Sequence, residues 1–190
     1  LKNFENISVR DSVTQSFVES CIGKKPEIVL DPCFLINLEE IIKKKNNHDF
    51  YKKNYILIYG DYFNDEQVKS IKKISKKNNW IIISLSFYNS WADRNIISVD
   101  PLDLINFIIN SNLVITSMFH GVMLSYKYKK QFWISEDPYR INKLSYFIKN
   151  LGLKKQYLES GGDQSIDYKN YKNKFDDWLN FSKNYLRKNI

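Results

Sequence analysis

"LVITSMFHGVMLSY", Leu113–Tyr126, opens as a strand and closes as a helix. Leu113–Thr116 is a short unbroken apolar run of β-favouring residues, and the stretch beyond Gly121 continues as a helix. Between them stands His120, one of only two histidines in the chain, with Gly121 directly after it. A strand that passes straight into a helix is the repeating joint of an α/β fold.

Working outward, the same kind of run recurs at Ile7–Val9, Glu27–Leu30, Tyr55–Tyr59, Trp80–Ser86 and Gln131–Ser135. These runs are nearly continuous rather than alternating. That pattern belongs to strands covered on both faces, hence to a parallel sheet.

Helical stretches fill the gaps. "DSVTQSFVESCIG" offers Ser and Thr as caps and Gly23 as a stop. "NDEQVKSIKKISKKN" runs from Asn64 and acidic residues to lysines, the sense the helix dipole favours, with Val68, Ile71 and Ile74 as its apolar stripe. "DPLDLINFIINS" has Asp100 as cap and Pro101 in the first turn. "YRINKLSYFIKNLG" and "YKNKFDDWLNFSKNYLRKN" are amphipathic. Strand and helix in alternation predict an α/β, doubly wound, mostly parallel Rossmann-like sheet with helices on both faces. The stretch from Asp31 to Asn54 resists reading.

Composition narrows the function classes. The chain has 190 residues, 43% of them hydrophobic, enough for a substantial core. Its apolar runs fall far short of the roughly 20 residues of a membrane span. Cys21 and Cys33 form neither a disulfide framework nor a metal pair, and they read as reduced thiols of a cytoplasmic protein. The net charge of +8 suits anionic partners such as phosphorylated metabolites or a lipid surface. The lysines, however, are spread at helical spacing over solvent faces, which argues against a nucleic-acid surface. The start "LKNFENISVRD" has no Met and no signal-peptide core, so the chain reads as one domain of a longer protein.

In open α/β sheets ligands bind beyond the carboxyl ends of the strands. Arg10 and Asp11, Asp31, Gly60 and Asp61, Ser117–Gly121, and Glu136, Asp137 and Arg140 all follow strands. Asp31, Asp61 and Glu136 are ordinary loop residues, and His48, in "KKKNNHDF", is a solvated one. Arg10 and His120 stand apart because neither caps a helix. His120-Gly121 sits where free N–H groups leave a helix start, an anion site, and Gly121 permits a sharp turn and close approach to a ligand. A helix start disfavours imidazolium, which would leave His120 able to accept or relay a proton. A hydrogen bond to a neighbouring loop explains the same residue equally simply.

"ISVRDSVTQSFV", "EIVLDPCFLI" and "DLINFIINSNLVITSMFHGVMLSYKYKKQFW", in this order and spacing, resemble the C-terminal half of the polysaccharide pyruvyl transferase family. Members show a strand ending in Arg-Asp, a later Leu-Asp-Pro, and Val-Ile-Thr followed two residues on by Phe-His-Gly. The match runs over residues 7 to 151. It implies a two-lobed, glycosyltransferase-B-like enzyme. Residues 1–190 would be one Rossmann-like domain, its second lobe, with 164–190 as a C-terminal helix packing on it and the N-terminal lobe elsewhere.

The resemblance implies transfer of the enolpyruvyl carbons of phosphoenolpyruvate onto two sugar hydroxyls, forming a pyruvate ketal in cell-surface polysaccharide synthesis. The acceptor would be a glycan or a lipid-linked sugar, reached in the cytoplasm or at the inner face of the membrane. No metal or further cofactor is demanded. Arg10 would hold the donor's carboxylate or phosphate, His120 would be the acid/base, and Phe119 would shape the pocket. Ser117, Gly121 and Arg140 complete the expected substrate-binding set. Many members carry Arg where this chain has Met118, a departure that weakens donor-anion binding. Two other readings stay open: a glycosyltransferase-B lobe that binds a nucleotide sugar, and a catalytically inactive interaction module.

Overall fold

Among the apolar runs, Tyr55–Tyr59 has the deepest position: Tyr55, Ile56, Leu57 and Ile58 expose no surface at all. In the computed structural model, which describes residues 3–37, 53–138, 141–158 and 165–189, this run is the central strand β3 of a five-stranded sheet. The two strands before it are β1 (Ser8–Val9) and β2 (Glu27–Ile28). Those after it are β4 (Ile81–Leu85), β5 (Arg94–Ile96), β6 (Leu113–Thr116) and β7 (Phe132–Ile134).

Among the described residues the α-helices are α1 (Ser12–Ile22), α2 (Asp65–Asn78), α3 (Pro101–Asn110), α4 (Phe119–Lys127), α5 (Ile141–Leu151) and α6 (Lys172–Asn189). The chain divides into two compact units. One comprises Leu1–Ile36, Ile141–Lys154 and Asp167–Ile190; the other comprises Asn37–Arg140 and Lys155–Ile166.

In the second unit the strand order is β5-β4-β3-β6-β7, all parallel. The chain leaves the centre toward β4 and β5, then returns to the other side of β3 for β6 and β7. This is the doubly wound α/β arrangement, with its switch point between β3 and β6. Alternate residues of β3 feed opposite faces. Ile56 and Ile58 cluster with Ile71 of α2, Ile82, Leu113 and Ile115. On the other face the Tyr55 ring meets Phe107 of α3 edge-on, and its hydroxyl donates to the Phe107 carbonyl at 2.7 Å. Both faces are filled, as the continuous apolar runs require.

Local rules place the helices. Asn64 and Gln67 close a reciprocal capping box at the start of α2. Asp100 accepts from the amides of Leu102 and Asp103 at the start of α3. α1 ends at Gly23 in the left-handed region, φ 70°. Its N-cap is Asp11, however, rather than the serine or threonine expected, because the Asp11 carboxylate takes both the amide and the hydroxyl of Thr14.

One strand escaped the sequence reading. β5 has no apolar run and an exposed Arg94; it exists because it pairs with β4, Ile83 opposite Arg94. The Asp93 carboxylate secures it by accepting from the Ile82 amide at 2.7 Å.

In the first unit β1 and β2 form their own two-stranded parallel sheet. α6 is fastened to it by side chains: Ser182 accepts from the Leu30 amide, Trp178 donates to the Ile28 carbonyl, and Tyr185 donates to the Ile7 carbonyl. The strand-end residues expected on one sheet rim are therefore shared between two sheets. Arg10 and Asp31 follow strands of the small sheet, whereas Asp61, Ser117, His120 and Glu136 follow strands of the large one.

Candidate functional site

At the switch point, the end of β6 and the start of α4 are joined through Thr116. Its hydroxyl donates to the Tyr59 carbonyl at 2.6 Å and accepts from the Met118 amide at 3.0 Å. This fixes the turn without a capping side chain. The cap position is Met118, which cannot accept, so no side chain caps the start of α4. His120 lies in that first turn and is exposed, with the half-buried Phe119 ring meeting its imidazole edge-on at 5.3 Å. A helix start of this kind presents N–H groups and positive potential to an anion.

Gly121 has a different task from the one expected. It lies within α4 and is buried, and a Cβ there would stand 2.2 Å from the Thr116 Oγ1. The close approach that demands glycine is therefore to the preceding strand, and it lets α4 rest directly on the end of β6. Ser117 also departs from expectation. It is fully buried, and its hydroxyl finds no hydrogen-bond partner. It faces Gly60 at the end of β3, where a Cβ would come within 2.2 Å of the Ser117 Oγ. Gly60 has φ 149°, a conformation that L side chains rarely adopt.

Residues that the sequence reading passed over hold this rim together. The Asn89 side-chain amide donates to the Gly60 carbonyl at 2.9 Å and to the Ser84 hydroxyl at 2.8 Å. The Asn89 backbone exchanges hydrogen bonds with the Asn95 side chain. The loops after β3 and β4 are thereby tied across the sheet. A buried asparagine in an Asn-rich chain carries no local signal of such a role. A glycine directly after a central strand was the one visible clue.

Arg10 lies in the other unit, just after β1. It pairs with the buried Asp31, whose second carboxylate oxygen accepts from the Cys33 amide at 3.0 Å. Asp31, read as an ordinary loop residue, is thus the partner that orients Arg10. Arg140 and His48 fall outside the described residues. A cavity of about 460 Å³ in this first unit is lined by Gln15, Lys25–Ile28 and Tyr146, at the amino end of β2. It is lined by none of the candidate residues, and ligands of open α/β sheets bind beyond the carboxyl ends of the strands rather than at an amino end.

Residues 1–137 match the polysaccharide pyruvyl transferase family. The chain belongs to that family. The match covers β1 to β7 with Arg10 and the Phe119-His120-Gly121 turn, and it stops before α5 and α6. No curated protein matches.

Among solved structures, the chain is similar to a protein from Listeria monocytogenes assigned as a UDP-N-acetylglucosamine 2-epimerase, with 14% identity and a TM-score of 0.48 over 75% of this chain and 44% of that one. It is also similar to the wall teichoic acid polymerase TagF, with 13% identity and a TM-score of 0.43 over 93% of this chain and 51% of that one. The chain thus spans about half the length of these two solved proteins.

Proposed function

We propose that this member of the polysaccharide pyruvyl transferase family is the donor-binding lobe of a two-lobed, glycosyltransferase-B-like enzyme. The enzyme transfers the enolpyruvyl carbons of phosphoenolpyruvate onto two hydroxyls of a sugar, making a cyclic pyruvate ketal on a glycan or lipid-linked sugar. The observation that carries this reading is His120: an exposed imidazole in the first turn of a helix that no side chain caps, beside the switch point of the sheet.

The chemistry asks for little more. A proton added to the donor's methylene carbon leaves an oxocarbenium-like centre at the neighbouring carbon. One hydroxyl attacks that centre, and the second displaces phosphate. Of the two hydroxyl protons released, one balances the methyl group and the other leaves with phosphate. His120 serves as the acid and base that moves them, a role worth about 10²–10⁴-fold in rate. Phe119 shapes the pocket beside it.

The N–H groups that open α4 favour the donor's negative charge. For Arg10, in the other unit, the family's pattern implies a role in holding the donor's carboxylate or phosphate, which its planar guanidinium suits. Arg10 pairs with Asp31 in this structure. Met118 brings no charge where many members of the family carry Arg, which weakens donor-anion binding at the start of α4. The proposed setting is the cytoplasm or the inner face of the membrane, where a +8 chain meets phosphorylated donors and anionic lipid.

In the complete enzyme, His120→Ala should abolish ketal formation with no loss of thermal stability, since the side chain is exposed. Turnover at the wild-type level in that variant refutes the role. Phosphoenolpyruvate should raise the melting temperature more than nucleoside diphosphates do; the reverse order indicates a nucleotide-sugar enzyme, and no shift with either indicates an interaction module.

A further inference from the structure

The loops that follow β3 and β4 hold more aromatic residues than their packing uses. Three of these rings are paired: Phe87 with Tyr59 of β3 at 5.8 Å, and Phe63 edge-on to Trp91 at 5.5 Å. Two are left outside. Tyr88 is 72% exposed and Tyr62 is 47% exposed, and among the described residues neither makes a ring contact. Their exposure does not come from loose backbone. Tyr88 stands between Phe87, packed on Tyr59, and Asn89, buried and bonded to Gly60. Tyr62 stands two residues after Gly60, its carbonyl accepting from the Ser135 hydroxyl at 2.6 Å. Each tyrosine is therefore within two residues of one end of the same Asn89–Gly60 hydrogen bond, at the carboxyl edge of adjacent strands.

We propose that Tyr88 and Tyr62 form a stacking platform for a pyranose ring, the acceptor subsite contributed by this lobe. A pyranose offers an apolar C–H face and a rim of hydroxyls. A tyrosine ring offers a negative face for the C–H groups and a hydroxyl for the rim. Two rings on short anchored loops match one or two sugar units. They fall far below the roughly 1,200–2,000 Å² that a stable protein partner buries.

The platform also continues the candidate site. Gly60 abuts Ser117, and three residues further on His120 opens α4, so the platform borders the switch point where the reaction is placed. Because Asn89 and Ser135 pin the loops, the backbone that carries the two rings is anchored before the sugar arrives, which lowers the ordering cost of binding. The platform rests on the proposed transferase reading for its role, but not for its ability to bind sugar.

The test is saturation-transfer NMR on the full chain with a panel of methyl pyranosides and with uridine and cytidine diphosphates, alongside the phosphoenolpyruvate melting shift. Wild type should show transfer to the C–H protons of at least one pyranoside. Tyr88→Ala should weaken that binding about threefold to tenfold, Tyr88→Phe should retain it, and the donor-induced melting shift should stay unchanged. Tyr88 is exposed, so the variants fold; unchanged melting temperature verifies it. Equal pyranoside transfer in wild type and Tyr88→Ala, no transfer in wild type, or loss of nucleotide binding in its place overturns the platform. Tyrosine-dependent pyranoside binding without any phosphoenolpyruvate shift sustains the platform and overturns the donor reading instead.

Discussion

A single methyl group added at residue 60 tests how the switch point is built. In Gly60→Ala the new Cβ would stand 2.2 Å from the Ser117 Oγ, 3.1 Å from its amide nitrogen and 3.3 Å from its Cβ. The backbone at φ 149° adds strain for any L side chain, about 1–3 kcal/mol. Forcing the contact with Ser117 costs about 1–3 kcal/mol more. Ser117→Ala has the opposite sense. It removes a buried hydroxyl that no partner satisfies, so it should stabilise by about 1 kcal/mol.

The double variant then separates the two costs. It abolishes the 2.2 Å contact but retains the strained φ and the closer approach to the Ser117 amide. A coupling energy of about 1–3 kcal/mol is expected. Urea unfolding followed by circular dichroism, with equal m values across the four proteins, measures it. Strict additivity, within about 0.5 kcal/mol, would mean that Gly60 is required for its backbone alone and that the Gly60–Ser117 contact is not structural.

Further outcomes follow from the same geometry. Gly121→Ala should destabilise by about 2–4 kcal/mol, because the Thr116 hydroxyl it strikes cannot swing away without losing both of its hydrogen bonds; denaturant midpoints check this. Asp11→Ala should cost about 0.5–2 kcal/mol through loss of the α1 cap, visible as a lower melting temperature.

Lys130 carries a pH signature: burial pushes its pKa below the ordinary 10.5, so the folded state releases that proton before the unfolded state does. Stability from this group therefore rises as pH climbs through the window beneath 10.5, and is lowest, and constant, below that window. Lys130→Met should stabilise at neutral pH, with an advantage that shrinks toward pH 10.5; paired melts at the two pH values measure the difference.

Much of the fold was legible because its causes are local. The continuous apolar run at Tyr55–Tyr59 could only be a strand covered on both faces, and it became the central one. Asn64 and Asp100 accept from amides, and the Gly23 amide donates to the Glu19 carbonyl, all within four residues, so their roles were readable from spacing. The candidate site was legible in part: the position of His120 followed from the strand–helix joint, and its exposure did not.

What lay beyond the sequence shares one physical feature, dependence on partners distant along the chain. Arg94–Ile96 has no apolar pattern and is a strand only because β4 lies beside it. Asp31 looked like any loop carboxylate until it met Arg10, 21 positions away. Thr116 and Tyr59 are 57 positions apart, and Gly60 touches Ser117 at the same separation. The sequence by itself determined the alternation of strands and helices and the helix caps, because hydrophobic periodicity and capping act within one turn or one strand. Only the tertiary structure decided that the strands divide between two sheets, that Ser117 is sealed beneath Gly60, and that two tyrosines stand exposed beside it, since strand order and burial arise when distant segments meet.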